Sequence, residues 1–238
     1  MKKLFYTFLC LGFLLPSRLA NADTPVLVEL FTSQSCSSCP QADALLSELA
    51  KDKDLITIGC HVTYWDHLRW KDTFSLEACT QRQRDYGQRL DRGRIYTPAA
   101  IINGRKAVVG SKEGDLRIAI RKEQITAKLR SLKIEKTGDD FTLYLAALPP
   151  GQQVAHVVTI LAYGPDEEVK MNAGENRGET VTYSKPVTMI RELTPWLGKE
   201  EIRTIKFSDL PLTSKGFVAV VQRIHGGPVE AAGEYKID

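Results

Sequence analysis

The most reactive side chains of this sequence are two cysteines in the stretch Phe31-Thr32-Ser33-Gln34-Ser35-Cys36-Ser37-Ser38-Cys39-Pro40. The C-x-x-C spacing lets both thiols share the first turn of a helix, close enough for a readily exchanged disulfide. Unpaired amides at a helix N-terminus carry partial positive charge and stabilise a thiolate there. Thiol–disulfide chemistry is the expectation. The alternative is a purely structural bridge, but closing so short a loop removes little chain entropy and makes a weak staple.

Particular elements must position that pair. Val26-Leu27-Val28-Glu29-Leu30-Phe31 is an apolar, strand-like run leading into the loop. Ala42, Leu45, Leu46 and Leu49 recur at i, i+3, i+4 and i+7, which predicts an amphipathic helix starting near Pro40. A proline is tolerated there because the first backbone donors of a helix have no intrahelical acceptor. A second strand is expected over residues 55–64 and a helix over 75–90, with Ser75 as its cap and Leu76, Cys79, Tyr86 and Leu90 on its apolar face. Residues 99–102 and 106–109 flank Asn103-Gly104, a hairpin signal because both residues tolerate positive φ. A further helix over 113–129 carries Leu116, Ile120 and Ile125. The order strand-helix-strand-helix-hairpin-helix predicts an α/β layer fold with a mixed sheet.

The pattern changes near Ser131. Short strands are expected over 132–135, 141–146, 154–163, 180–183, 188–193, 202–207, 217–224 and 234–237, and strands of that number and spacing predict a β-sandwich. The expected organisation is a leader over 1–22, an α/β domain over 23–130 and a sandwich-like β domain over 131–238.

The leader is read from Lys2 and Lys3, the apolar run 4–15, Pro16, and Ala20-Asn21-Ala22 as a cleavage site. The apolar run is short for a membrane span, so no membrane insertion is expected after cleavage. Of 32 basic residues, Lys2, Lys3 and Arg18 lie in the leader, so 29 remain against 29 acidic ones. That balance gives no support for a nucleic-acid partner. Export implies a periplasmic or secreted location where disulfides persist. Cys36, Cys39, Cys60 and Cys79 remain, an even set; a four-cysteine zinc site is disfavoured because Cys60 and Cys79 form no second close-spaced knuckle.

His61, Tyr64, Trp65 and Asp66 end the second strand, and strand ends border the ligand crevice of open α/β sheets. Tyr64 and Trp65 are therefore candidates for lining the site, with core packing as the alternative. The small, hydroxyl-bearing Ser37 and Ser38 leave room for a protein substrate. His61 is a candidate proton shuttle, or a soft-metal ligand beside the thiolates. Arg82, Arg84, Arg89, Arg92 and Arg94 alternate with acids and read as a solvated face. Cys60 and Cys79 fall on a strand and the helix expected over it, so a second, structural disulfide is expected.

The run 26–31 leading into Cys36-Ser37-Ser38-Cys39, with Tyr96-Thr97-Pro98 before a hairpin, resembles the thioredoxin superfamily. More closely, FTSQSCSSCPQAD, HVTYWDHLRWKD, QRQRDY, YTPAAIINGR and GENRGETVTY resemble a family of exported bacterial proteins catalogued as a domain of unknown function. The resemblance implies a thioredoxin-like domain followed by a β-rich domain. It implies that Cys36 attacks and Cys39 resolves the mixed disulfide. Pro98 is then cis, Thr97 faces the cysteines and pairs with an extended substrate segment, and Glu29 is a buried acid exchanging a proton with the resolving thiol. The family pattern commonly has apolar residues where this chain has Cys60 and Cys79, and that paired departure favours a bridge. The function so implied is thiol–disulfide exchange with protein thiols or disulfides, with no cofactor beyond the cysteine pair. The alternative is a copper-handling module using the same cysteines, against which the tight spacing and only three methionines count.

Overall fold

The computed structural model describes residues 25–126 and 129–237; the expected leader lies outside them. β1 (Val26–Thr32) is buried along its whole length, as its apolar sequence requires. It is followed by α1 (Pro40–Leu49), β2 (Leu55–His61), α2 (Glu77–Leu90), β3 (Ala99–Ile102), β4 (Lys106–Val109) and α3 (Glu113–Thr126). These strands form one mixed sheet in the order β2-β1-β3-β4, with β1 parallel to β2 and antiparallel to β3. Alternation of side chains along β1 divides the sheet's two faces. Val26, Val28 and Leu30 pack under α1 and α3, with Leu46, Ile102 and Leu116. Leu27 and Phe31 point the other way, toward Ile58, Tyr86 and residues of the second half.

The second half contributes β5 (Arg130–Ser131), β6 (Lys133–Thr137), β7 (Asp140–Leu145), β8 (His156–Tyr163), β9 (Glu167–Lys170), β10 (Thr180–Tyr183), β11 (Val187–Glu192), β12 (Glu201–Ile205), β13 (Gly216–Arg223) and β14 (Val229–Lys236). A five-stranded sheet, β11-β8-β13-β14-β5, faces a three-stranded one, β12-β7-β6. Phe141, Leu143, Ile160, Phe217 and Ala219 fill the space between them. The five-stranded sheet is covered on both faces: Leu161, Val218 and Val220 point outward into the same core as Phe31 and Ile58. The β9–β10 ribbon belongs to neither sheet and packs on α1.

Several boundaries differ from expectation for identifiable reasons. β2 stops at His61, and residues 62–71 turn across the sheet end. α2 starts at Glu77 with Leu76 at the cap position and no side-chain cap. The Ser75 hydroxyl instead donates to the Asp66 carboxylate at 2.6 Å. On α3 the buried face is Leu116, Ala119, Ile120 and Glu123, whereas Ile125 is exposed. Nine residues at about 100° each put Ile125 opposite Leu116. Asn103 and Gly104 both adopt positive φ between β3 and β4, as their chemistry favours. No helix among the described residues is long and apolar enough to cross a membrane.

Candidate active site

Cys36 and Cys39 are bonded to each other at the start of α1, with Cα atoms 5.4 Å apart. Cys39 occupies the N-cap and Pro40 opens the helix. Cys39 is fully buried and Cys36 is 4% exposed, so solvent reaches the pair only through Cys36. Ser37 and Ser38 are exposed beside it, and the Ser38 hydroxyl lies 3.5 Å from the Cys36 sulfur. The loop before Cys36 is fixed on several sides. The Gln34 backbone N–H donates to the Asp72 carboxylate at 2.8 Å. The Gln34 side-chain oxygen accepts from the Trp70 indole at 2.8 Å, and the Ser35 hydroxyl donates to the Trp70 carbonyl.

The Thr97-Pro98 peptide is cis. Pro98 precedes β3, whose Ala99 pairs with Phe31, so it stands at the end of β1 where the cysteine loop begins. A Cβ placed on Gly110 would lie 3.3 Å from both Ala42 and Pro98, so the proline and the first turn of α1 both close on Gly110. The Thr97 hydroxyl accepts from the Trp65 indole at 2.8 Å, and the Tyr64 ring lies beside Trp65 with centroids 5.8 Å apart. Trp65 is thus brought to Thr97, with Tyr64 as its neighbour. Tyr64 in turn donates to Gln83 at 3.2 Å.

Glu29 is placed elsewhere. It projects from β1 on the face shared with Leu27 and Phe31, away from α1. There it takes both a guanidinium bond from Arg82 (2.5 Å) and a hydroxyl bond from Tyr86 (2.6 Å), fully buried. Burial disfavours the Arg82 charge, but the Glu29 carboxylate outweighs it and raises the Arg82 pKa. The sheet itself separates this acid from Cys39, because successive strand residues point to opposite faces. The proton exchange expected of Glu29 has no path in this geometry, and Arg82 is part of a buried ion pair rather than a solvated face.

On the α1 side lies a group of buried polar residues of which the sequence singled out His61 alone. Asp43 is one helical turn beyond Cys39, so the two side chains share a face of α1. It is 3% exposed and accepts from the Thr32 hydroxyl at 3.0 Å. Burial raises its pKa to about 7, opposed by the nearby positive charge of His61 and by the Thr32 hydrogen bond. His61 is buried too, with Nδ1 2.7 Å from the Asp72 carboxylate. Burial alone lowers the His61 pKa, but Asp72 and then Asp43 outweigh it and raise it. The available signal was position: Asp43 falls beside the apolar stripe of α1, where an acid has no solvated reason to be.

The structure also bonds Cys60 to Cys79, both fully buried, tying β2 to α2. In the Gly174-Glu175-Asn176-Arg177-Gly178 turn, Asn176 reaches the cysteine loop from the second half of the chain.

A sheet with a cysteine pair at a helix start and a cis proline beside it defines a protein of the thioredoxin class. The chain belongs to the family described as "Protein of unknown function (DUF1223)", which matches residues 27–222. It is 31% identical over 98 residues to a probable thioredoxin of Archaeoglobus fulgidus, covering 41% of this chain and 88% of that protein. A crystal structure of a protein from Agrobacterium tumefaciens superposes with a TM-score of 0.76 at 24% identity, covering 89% of this chain and 93% of the other. That likeness extends through both halves of the fold.

Proposed function

We infer that this protein is an exported thiol–disulfide oxidoreductase, a thioredoxin-like unit followed by a sandwich-like β unit, acting on cysteine pairs of protein partners. The observation that carries the reading is the Cys36–Cys39 disulfide at the N-terminus of α1 beside the cis Thr97-Pro98 element. The relation to a probable thioredoxin supports it. The leader expected from the sequence and the buried Cys60–Cys79 bond support an oxidising compartment.

In the reducing direction, the Cys36 thiolate attacks a partner disulfide, forming a mixed disulfide and releasing one partner thiolate. Cys39 then gives its proton to the Asp43 carboxylate, attacks the Cys36 sulfur and releases the second partner thiolate. Two electrons pass to the partner and the Cys36–Cys39 bond re-forms. The oxidising direction is the same sequence reversed, with protonated Asp43 returning the proton to Cys39. A carboxyl titrating near neutrality suits both directions, because neither proton state is scarce. Thr97 and Pro98 present backbone to an extended partner segment, and Ser37, Ser38, Tyr64 and Trp65 border the approach.

Trapping tests this. Cys39→Ser, which leaves Cys36 without its resolving thiol, should accumulate mixed disulfides with exported partner proteins. The absence of such adducts, together with tight Cu(I) binding by the wild-type pair, would reject the oxidoreductase reading.

A further inference from the structure

Asn176 lies in the turn joining β9 to β10, far along the chain from the cysteines, yet it is 5% exposed. Its single side-chain nitrogen donates to two carbonyls of the redox loop, those of Gln34 at 2.9 Å and Cys36 at 3.0 Å. These are the carbonyls on either side of Ser35-Cys36, and one amide nitrogen carries two protons to satisfy both. The turn that presents Asn176 is itself well tied. Gly178 donates to the Met171 carbonyl at 2.8 Å, and Glu179 donates to the Asn176 carbonyl at 3.0 Å. Gly174, at φ 79°, approaches Trp70 so closely that a Cβ there would lie 3.0 Å from the Trp70 Cβ. The ribbon packs on α1 through β10, with the Thr182 carbonyl 3.4 Å from the Ser47 hydroxyl. It is anchored to the buried polar group by Tyr183, edge-on to His61 at 5.0 Å. A ribbon that joins neither sandwich sheet is thus held against the redox loop.

We propose that Asn176 is a positioning residue for the Cys36–Cys39 pair, and that through it the β9–β10 ribbon is thermodynamically coupled to the oxidation state of that pair. The proposal rests on reading Cys36–Cys39 as an exchangeable couple. Closing the disulfide requires the Cys36 sulfur to stay within bonding reach of Cys39. Fixing both carbonyls around Cys36 removes backbone freedom that would carry it away, and so raises the effective concentration of one thiol at the other. Coupling of this kind is reciprocal: if the ribbon favours the closed disulfide, the closed disulfide favours the docked ribbon by the same factor.

The test equilibrates full-length protein with glutathione, in which the Cys36–Cys39 disulfide plus two glutathione thiols gives the dithiol plus one oxidised glutathione, a two-electron exchange. Asn176→Ala and Asn176→Leu should each move the equilibrium toward the dithiol by about ten-fold, a shift of about 30 mV. Asn176→Leu is the discriminating variant, since it keeps the approximate size and adds no charge but donates to neither carbonyl. A residue acting only by packing would leave its potential at the wild-type value, and that result overturns the proposal. A second measurement needs no substitution. Reducing the pair in the wild-type chain should speed hydrogen exchange at Gly178 and Glu179 by about ten-fold while leaving β12 unchanged. Equal exchange in the two redox states also overturns it. Failure to trap partners on Cys39→Ser counts against the oxidoreductase function alone, whereas an unmoved potential counts against Asn176 alone.

Discussion

Asp43 and Glu29 are both buried carboxylates close to β1, and what surrounds each one assigns it a different task. Glu29 has a guanidinium and a phenol on it and lies on the face of β1 turned away from α1. Asp43 has a hydroxyl and a nearby imidazole, shares a helix face with Cys39, and is raised by burial to about 7. Asp43→Asn should therefore slow the step in which Cys39 resolves a mixed disulfide by about 100-fold at neutral pH, the low end of what a positioned base supplies. The rise of that step with pH through about 7 should disappear with it. Stopped-flow resolution of a preformed Cys36 mixed disulfide measures both effects; a preserved pH profile would remove Asp43 from the mechanism. The stability effect has the opposite sign. Because the folded-state pKa is raised by burial, the protonated acid's contribution is complete below about pH 4 and is lost as pH rises through about 7. Asn cannot ionise, so Asp43→Asn should stabilise the fold relative to wild type above neutrality and hardly at all in acid, as thermal melts at the two pH values would report.

At the scale of elements, α2 has weak terms of its own. It has no side-chain cap at its start, and its buried positions include Thr80, Gln83 and Gly87 as well as Cys79 and Tyr86. What holds it to the sheet is the Cys60–Cys79 bond and the hydrogen bonds its side chains send outward, such as Gln83 to the Tyr96 carbonyl at 2.7 Å. Replacing both cysteines, Cys60→Ala with Cys79→Ala, should cost about 3 kcal/mol in urea unfolding, the amount a closed loop of this length removes from the unfolded chain. The glutathione equilibrium of Cys36–Cys39 should stay put, since the two bonds sit on different elements. Of the β9–β10 ribbon, β10 was expected over 180–183 and forms there, whereas β9 was not legible in the sequence. β9 reads Glu-Glu-Val-Lys, with no apolar alternation, because only one of its residues touches a core and its pairing is confined to β10. α1 was legible because its stripe and its proline both carry local rules.

At the scale of the whole molecule, the two halves share a core, and a polar network crosses it. Arg82 of α2 binds Glu29 of β1 and Tyr86, while Gln222 of β13 donates to the Tyr86 hydroxyl at 3.0 Å. Removing one charge leaves the other unpaired in a buried interface. Arg82→Ala should cost about 3–5 kcal/mol, whereas Arg82→Met combined with Glu29→Gln should cost far less, because neither charge then remains buried and unpaired. Chemical denaturation of the three proteins measures the difference; equal losses would mean that the network does not bridge the halves energetically.

The sequence by itself determined what depends on neighbours in the chain: the C-x-x-C pair, the helix that starts at Pro40, the strand before it, the Asn103-Gly104 turn and the change to short strands after Ser131. Each follows from spacing, periodicity or a backbone preference that operates over a few residues. Only the tertiary structure decided which face of β1 an acid occupies, and therefore that Asp43 rather than Glu29 lies with Cys39. It also decided that Asn176, well over a hundred residues away, closes on the carbonyls of Gln34 and Cys36. The i, i+4 spacing of Cys39 and Asp43 is local, but which face of the sheet Glu29 falls on and which distant turn meets the cysteine loop depend on contacts that local spacing does not encode.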